Sequence, residues 1–363
     1  MVDGAAVMDL AGGIDRAKAG SSDDDSFQLL PGTPGSCAIY KVGRPGTSYE
    51  HFALTFTPRP GEKHAHVVGG LDERPFGGPI DRDRPSDRTS RALRPLDQPL
   101  GDGSLGWYDH DSVTVNAVCG GSTARPTSLA VRARAVYEGA GEGEVSDAER
   151  ARLADIAVDA ARKAADRLGC AAEVADAPDA ALARPSRRLS PAARADGACA
   201  WYAGLLRTSA RGRLPDRALA SPTAAHAWSE RCLLALSPSA RWEAGESAND
   251  RPRSDDDLWW IAMGSWFGDH ADAVYAQNRY MPSVKPRRLA PGTAGDAPGT
   301  GVWWASSVCR GVPAVHTMSV VPGYDKAVDE RLAGLFRAYV DDVAERRGCT
   351  DVTFPKSVKA DRD

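Results

Sequence analysis

The sequence predicts an α+β protein of two tandem related domains, each an antiparallel sheet covered by one long C-terminal helix. Three observations predict it. Residues 152–170, "RLADIAVDAARKAADRLGC", and 331–349, "RLAGLFRAYVDDVAERRGC", share seven of 19 positions. Both carry apolar residues at the i, i+3, i+4, i+7 spacing of one helical face, Leu153, Ile156, Ala157, Ala160 and Ala164 against Leu332, Leu335, Phe336, Tyr339 and Val343. Upstream, "SVTVNAVCGG" ending near Cys119 matches "WWASSVCRG" around Cys309, and an alternating segment follows each.

In chain order, residues 1–28, with "GSSDDDS", read as a disordered spacer. The first repeat spans 29–170. It opens on "CAIY" at Cys37 and "FALTFTP" at Phe52–Pro58, which pair by sequence with "CAWY" at Cys199 and "CLLALSP" at Cys232–Pro238. Leu129, Val131, Ala133, Ala135 and Tyr137 then face one way while Arg132 and Arg134 face the other, the mark of a half-buried strand. Ser146 and Glu149 form a capping box before the first long helix, and Asp325 stands at the equivalent N-cap of the second. Gly169 and Gly348 suit the left-handed turn that ends a helix. Residues 171–188 form an Ala/Pro/Arg-rich linker, 189–355 the second repeat and 356–363 a tail.

Length and composition agree with this plan. A chain of 363 residues exceeds what one core usually fills. Hydrophobic residues at 42% and charged residues at 26% are globular values, while 36 Gly and 25 Pro imply many turns. The net charge of -4 comes without a dense basic block, which argues against nucleic acid as a partner. No run approaches the length and apolarity of a transmembrane segment, and "MVDGAAVMDLAGG" lacks the features of a signal peptide.

The seven cysteines sort by the repeat. Cys119 with Cys170 and Cys309 with Cys349 each join a strand to a helix end, Cys199 has Cys232 on an adjacent strand, and Cys37 is left unpaired. The alternative is seven reduced core thiols of a cytosolic protein. Zinc is disfavoured by the long spacings and the lack of Cys-x-x-Cys. Three disulfides place the chain in an oxidising compartment, secreted or tethered, with a signal or anchor upstream of Met1.

No motif names a reaction, and no cofactor or metal is expected. His64 and His66 share one side of a strand but lack a third ligand, and read as a solvated face. His316, in phase with Met318 and Val320, reads as a core histidine, and His270 lies in a charged turn between Asp269 and Asp272. "MGSWFG" lacks the first Gly of a serine-hydrolase elbow, and "GGST" lacks the Lys of a P-loop. The aromatic residues Trp259, Trp260, Trp266, Trp303 and Trp304 are a candidate interaction surface, because adjacent strand residues point to opposite faces and one helix covers only one. The alternative is a sheet buried on both sides.

"CAIY"/"CAWY", "VCGG"/"VCRG" and the two Gly-Cys helix ends resemble the extracytoplasmic regions of actinobacterial cell-envelope proteins, in which an anchor and spacer precede Cys-stapled α+β units. The resemblance implies no activity. The expected function is a non-enzymatic envelope module binding another envelope protein or a wall glycan. The alternatives are an exported hydrolase of wall polymers with its site near His270, or a cytosolic protein with free thiols.

Overall fold

A computed structural model describes residues 2–10, 13–14, 16–21, 29, 34–42, 48–59, 66–69, 95–120, 127–136, 145–209, 211–237, 240, 259–278, 283–321 and 323–358. The elements begin with α1 (Gly4–Met8), β1 (Ala17–Ser21), β2 (Gly35–Val42), β3 (Ser48–Arg59), β4 (His66–Val68), β5 (Gln98–Leu100), β6 (Gly106–Tyr108), β7 (Ser112–Val118), β8 (Ser128–Ala135) and α2 (Asp147–Arg167). They continue with β9 (Ser190–Pro191), α3 (Ala200–Thr208), β10 (Arg217–Ala220), β11 (Ser229–Leu236), β12 (Trp259–Phe267), β13 (Val274–Ala276), β14 (Arg287–Arg288), β15 (Gly295–Ala297), β16 (Val302–Cys309), β17 (Val312–Val320), α4 (Tyr324–Arg347) and β18 (Cys349–Thr353). The class is mixed α+β with mostly antiparallel sheets and few helices. The chain divides into two compact units: Met1–His64 with Asp97–Pro185 and Ala224–Ala227, and Ala65–Leu96 with Ser186–Thr223 and Trp228–Asp363.

In the first unit the sheet runs β1-β2-β3-β8-β7-β6-β5, antiparallel throughout. Alternation sends Phe52, Leu54 and Phe56 of β3, Val113 and Val115 of β7, and Leu129 and Val131 of β8 into a core where all are fully buried. Each such side chain contributes about 1.5–3 kcal/mol relative to exposure. The helix α2 lies on β7 and β8, and its small Ala157, Ala160, Ala161 and Ala164 let it pack closely. Its capping box is formed by Ser146 and Glu149, and Gly169 turns left-handed at φ +64° just past its end. On the outer face Arg132 and Arg134 pair with Asp109 at 3.1 Å and Glu50 at 2.7 Å.

The second unit has two layers of sheet. Its main sheet runs β15-β16-β17-β12-β11-β10-β9, with β18 also paired to β16. A small second sheet runs β14-β13-β4, in which β4 joins β13 in parallel. One face of the main sheet packs against α4 through Leu332, Leu335, Phe336, Tyr339 and Val343, and against Trp201 and Tyr202 of α3. The other face carries Trp266, Trp304, Val302 and Val315, which cluster with Val68, Val274, Ala276 and Leu289 of the small sheet and its flanks. The strand β12 is therefore buried along all nine residues.

Several expectations are corrected. Residues 1–28 contain α1 and β1, with Val7 and Leu10 fully buried, so the described part of that stretch is folded onto the first core; most of "GSSDDDS" lies outside the described residues. "CAIY" lies in β2, but "CAWY" starts α3, because Trp201, Tyr202, Leu205 and Leu206 repeat with helical rather than alternating period. Asp325 is not the N-cap of α4. Gly323 is, and the Asp325 carboxylate accepts the Gly323 and Lys326 amides at 2.8 and 2.9 Å. The stretch read as a linker, 171–188, sends Val174 and Leu182 into the first core, and Arg150 donates to the Leu182 carbonyl at 2.8 Å. Tyr137, His64 and the end of the 356–363 tail lie outside the described residues.

Candidate functional site

Three disulfides are present: Cys119–Cys170, Cys199–Cys232 and Cys309–Cys349, closing 51, 33 and 40 residues of sequence separation. Two of them tie the residue after a helix-ending glycine to the sheet. Cys170 follows Gly169 and reaches the end of β7, while Cys349 follows Gly348 and opens β18 directly opposite Cys309. The third joins Cys199, at the N-terminus of α3, to β11, so Cys199 is not on a strand neighbouring Cys232. Cys37 is a half-buried free thiol on β2, and burial raises its pKa.

The tryptophan-rich segment is not an exposed surface. Trp259, Trp260, Trp266 and Trp304 are 8%, 3%, 4% and 4% exposed, and Trp303 is half-buried against the helix-side core. Trp259 stacks on Tyr324 of α4 and shares the helix-side cluster with Trp260, while Trp266 and Trp304 belong to the cluster on the opposite face. What covers the second face is the small sheet, one strand of which comes from residues almost 200 positions upstream.

Beneath α4 lies a buried polar chain. His316 accepts or donates at both ring nitrogens, to Ser265 and Ser307 hydroxyls at 2.8 Å each, and the Ser265 hydroxyl also meets the Tyr339 hydroxyl at 2.8 Å. Burial drives the His316 pKa down to about 3, so the ring is neutral. This is the core histidine expected from its phase in the strand. Nearby, fully buried Glu230 holds Arg346 at 2.9 Å and Arg347 at 3.4 Å, and Arg347 lies 3.9 Å over the Phe267 ring. Both Ser265 and His316 are 0% exposed, so their contact lies in the core rather than in a site open to solvent.

On the other face the structure joins two residues that lie far apart in the sequence. Gly268, at φ +59°, turns the chain out of β12 into a 3-10 helix, Gly268–Ala273, that carries His270. Strand β4 carries His66 alongside Val274. His66 Nε2 and His270 Nδ1 are 2.7 Å apart. The ring centroids are 5.0 Å apart and the planes differ by 29°. Since a ring nitrogen lies little more than an ångström from its ring centre, shorter than a ring bond, these distances put both nitrogens close to the line between centres. The rings meet head to head and share one hydrogen bond, one nitrogen donating and the other accepting. Trp266 stands 5.8 Å from His66 and Trp228 5.3 Å from His270, while His270 is only 1% exposed. Sequence spacing carries no signal for this pair, whose members are 204 residues apart.

Among the described residues, the group with three metal-capable side chains in reach of one another is Asp109, His110 and Asp111 in the β6–β7 turn. The Asp109 carboxylate is already engaged: it accepts the Asp111 and Ser112 amides at 3.0 and 2.8 Å and pairs with Arg132. Burial and the neighbouring Asp109 charge push the Asp111 pKa up to about 6. The group is a turn with a bound guanidinium. Among the described residues no helix is long and apolar enough to cross a membrane. No protein-family model, no curated protein and no solved structure matches this chain.

Proposed function

We propose that this chain is a non-enzymatic, extracytoplasmic binding module of a bacterial cell envelope, built by duplication of one disulfide-clamped α+β unit, with another envelope protein or a wall glycan as its partner. The observation that carries the location is the set of three disulfides, which form and persist in oxidising compartments. The same observation weighs against a cytosolic protein with free thiols.

The duplication is supported by strand order. One sheet reads β6-β7-β8-β3-β2-β1 and the other β15-β16-β17-β12-β11-β10. In both, a meander is followed by a hairpin whose second strand pairs with the third strand of the meander and leads into the long helix. Register supports it further. Six residues before Cys119 and Cys309 stand Val113 and Trp303, whose cross-strand partners are Ala133 and Met318. Those pair with Leu54 and Met263, and these in turn with Cys37 and Cys232. Cys37 thus matches Cys232, not Cys199 as the tetrapeptides "CAIY" and "CAWY" imply. The counterpart of α3 is α1, which precedes β1 as α3 precedes β10 and carries no cysteine. The odd thiol is half of a bridge whose other half is absent from the first unit.

Binding is favoured over wall hydrolysis because His270, the residue on which a hydrolase reading would turn, has its ring nitrogen engaged by His66. The test is to incubate purified protein with cell-wall fragments. Co-sedimentation without release of soluble fragments is expected, and turnover that His270→Ala abolishes would overturn the non-enzymatic reading.

A further inference from the structure

We propose that the His66–His270 pair is an acid-sensitive latch that holds β4 on β13, and that double protonation of the pair opens the small sheet over Trp266. The inference does not depend on the cell-envelope reading.

The head-to-head geometry sets the logic. A neutral pair places one hydrogen between Nε2 of His66 and Nδ1 of His270, and so does a pair carrying one extra proton. With one positive charge the bond becomes charge-assisted and strengthens. A second proton puts an N–H on both facing nitrogens, and neither can accept. The bond is then lost and two like charges face each other at a separation where both cannot remain, so the two protons are taken up in coupled steps. A metal chelate has the lone pairs of both rings converging on a third point, whereas these nitrogens point at each other.

The ladder under this control is short. β4 pairs with β13 over three residues, extended by one bond from the Gln277 amide to the Val68 carbonyl at 2.9 Å. Beyond the ladder, the described contacts that anchor it include His66 on His270 and Val68, 1% exposed against the cluster of Trp266, Val302, Trp304 and Val315. Short ladders of this kind open at less cost than the global fold. Their loss uncovers the apolar floor that contains Trp266, one of the tryptophans that the sequence marks as a candidate interaction surface.

Charged and titratable groups among the described residues stand on several elements around the pair. The 3-10 helix of His270 adds Asp269 and Asp272, and Asp272 is paired with Arg288 of β14 at 2.9 Å. Arg287 of β14 lies 5.0 Å over Trp304, and β13 adds Tyr275. From the main sheet, Arg231 of β11 shares the outer face by its register with Gly264. The outer faces of β12 and β17 present uncharged residues, while His316 and Glu230 lie on the opposite, helix-covered face.

The experiment is hydrogen–deuterium exchange of the full, disulfide-intact chain from about pH 7.5 to about pH 4.5, corrected for intrinsic rates, with imidazole protonation followed by nitrogen NMR. Peptides covering 66–69 and 274–277 are expected to lose at least about tenfold protection as the second proton binds, while β16, β17 and α4 keep theirs. In His66→Gln, whose amide donates to His270 without titrating, that loss is expected to vanish. Protection of β4 that persists with both imidazoles protonated overturns the latch. So does the same acid step in His66→Gln, or, should that variant not fold, in His270→Asn.

Discussion

Replacing Cys199 and Cys232 by alanine tests the clamp most sharply, because under the proposed duplication the matching ladder position in the first unit, Cys37, carries no bridge. The bridge spans 33 residues of sequence. Chain-entropy reasoning for a loop of that size gives about 12.5 cal/mol/K lost from the unfolded ensemble, or about 3.7 kcal/mol at room temperature. It also anchors α3, whose nine residues are too few to persist as an isolated helix. A unit of about 200 residues unfolds with an entropy of roughly 0.4 kcal/mol/K, so the Tm of the second unit should fall by about 9 °C. Cys37→Ala should stay within about 1 kcal/mol of the parent, since it removes a half-buried thiol and no cross-link. Scanning calorimetry under non-reducing conditions resolves both effects. A Cys37→Ala loss equal to that of the double variant, or a double variant that melts with the parent, would refute the reasoning.

Three further outcomes are expected. Glu230→Ala leaves Arg346 and Arg347 without their fully buried counter-charge and should cost about 3–5 kcal/mol in denaturant unfolding; a change below about 1 kcal/mol would contradict the ion-pair assignment. Asp111 has a folded pKa near 6, above its usual value of 3.8, so the native state binds its proton more tightly. Its contribution is favourable below pH 3.8 and is lost as pH rises through 6; Asp111→Asn should flatten that part of the stability profile, and an unchanged profile would assign the slope elsewhere. Gly264 lies under the Trp266 ring, where an added Cβ would meet the ring atoms. Gly264→Ala should destabilise by about 1–3 kcal/mol and shift Trp266 fluorescence, and a neutral substitution would mean that the indole is not packed there.

Local signals in the sequence carry the helices well. The Ser146–Glu149 box, the Gly-Cys helix ends and the alternation that puts Arg132 and Arg134 outward are each visible within a few residues, because capping and strand phase are short-range properties. Matching by tetrapeptide fails at "CAWY", where three of four letters agree with "CAIY" but the following "AGLLRT" continues a helix. The partner of β12 across its outer face is invisible for a different reason. The cover includes β4, contributed from far upstream and paired in parallel, and no periodicity in the Trp-rich segment reports a layer supplied by another part of the chain. The His66–His270 contact belongs to the same long-range layer and shares its illegibility.

The three disulfides, and the oxidising compartment they imply, are open to direct test. The direct measurement is alkylation of the protein, taken from its native compartment without reductant, followed by mass spectrometry of the peptides. One labelled thiol at Cys37, with Cys119–Cys170, Cys199–Cys232 and Cys309–Cys349 recovered as linked peptides, is the predicted result. Labelling of all seven cysteines would contradict it.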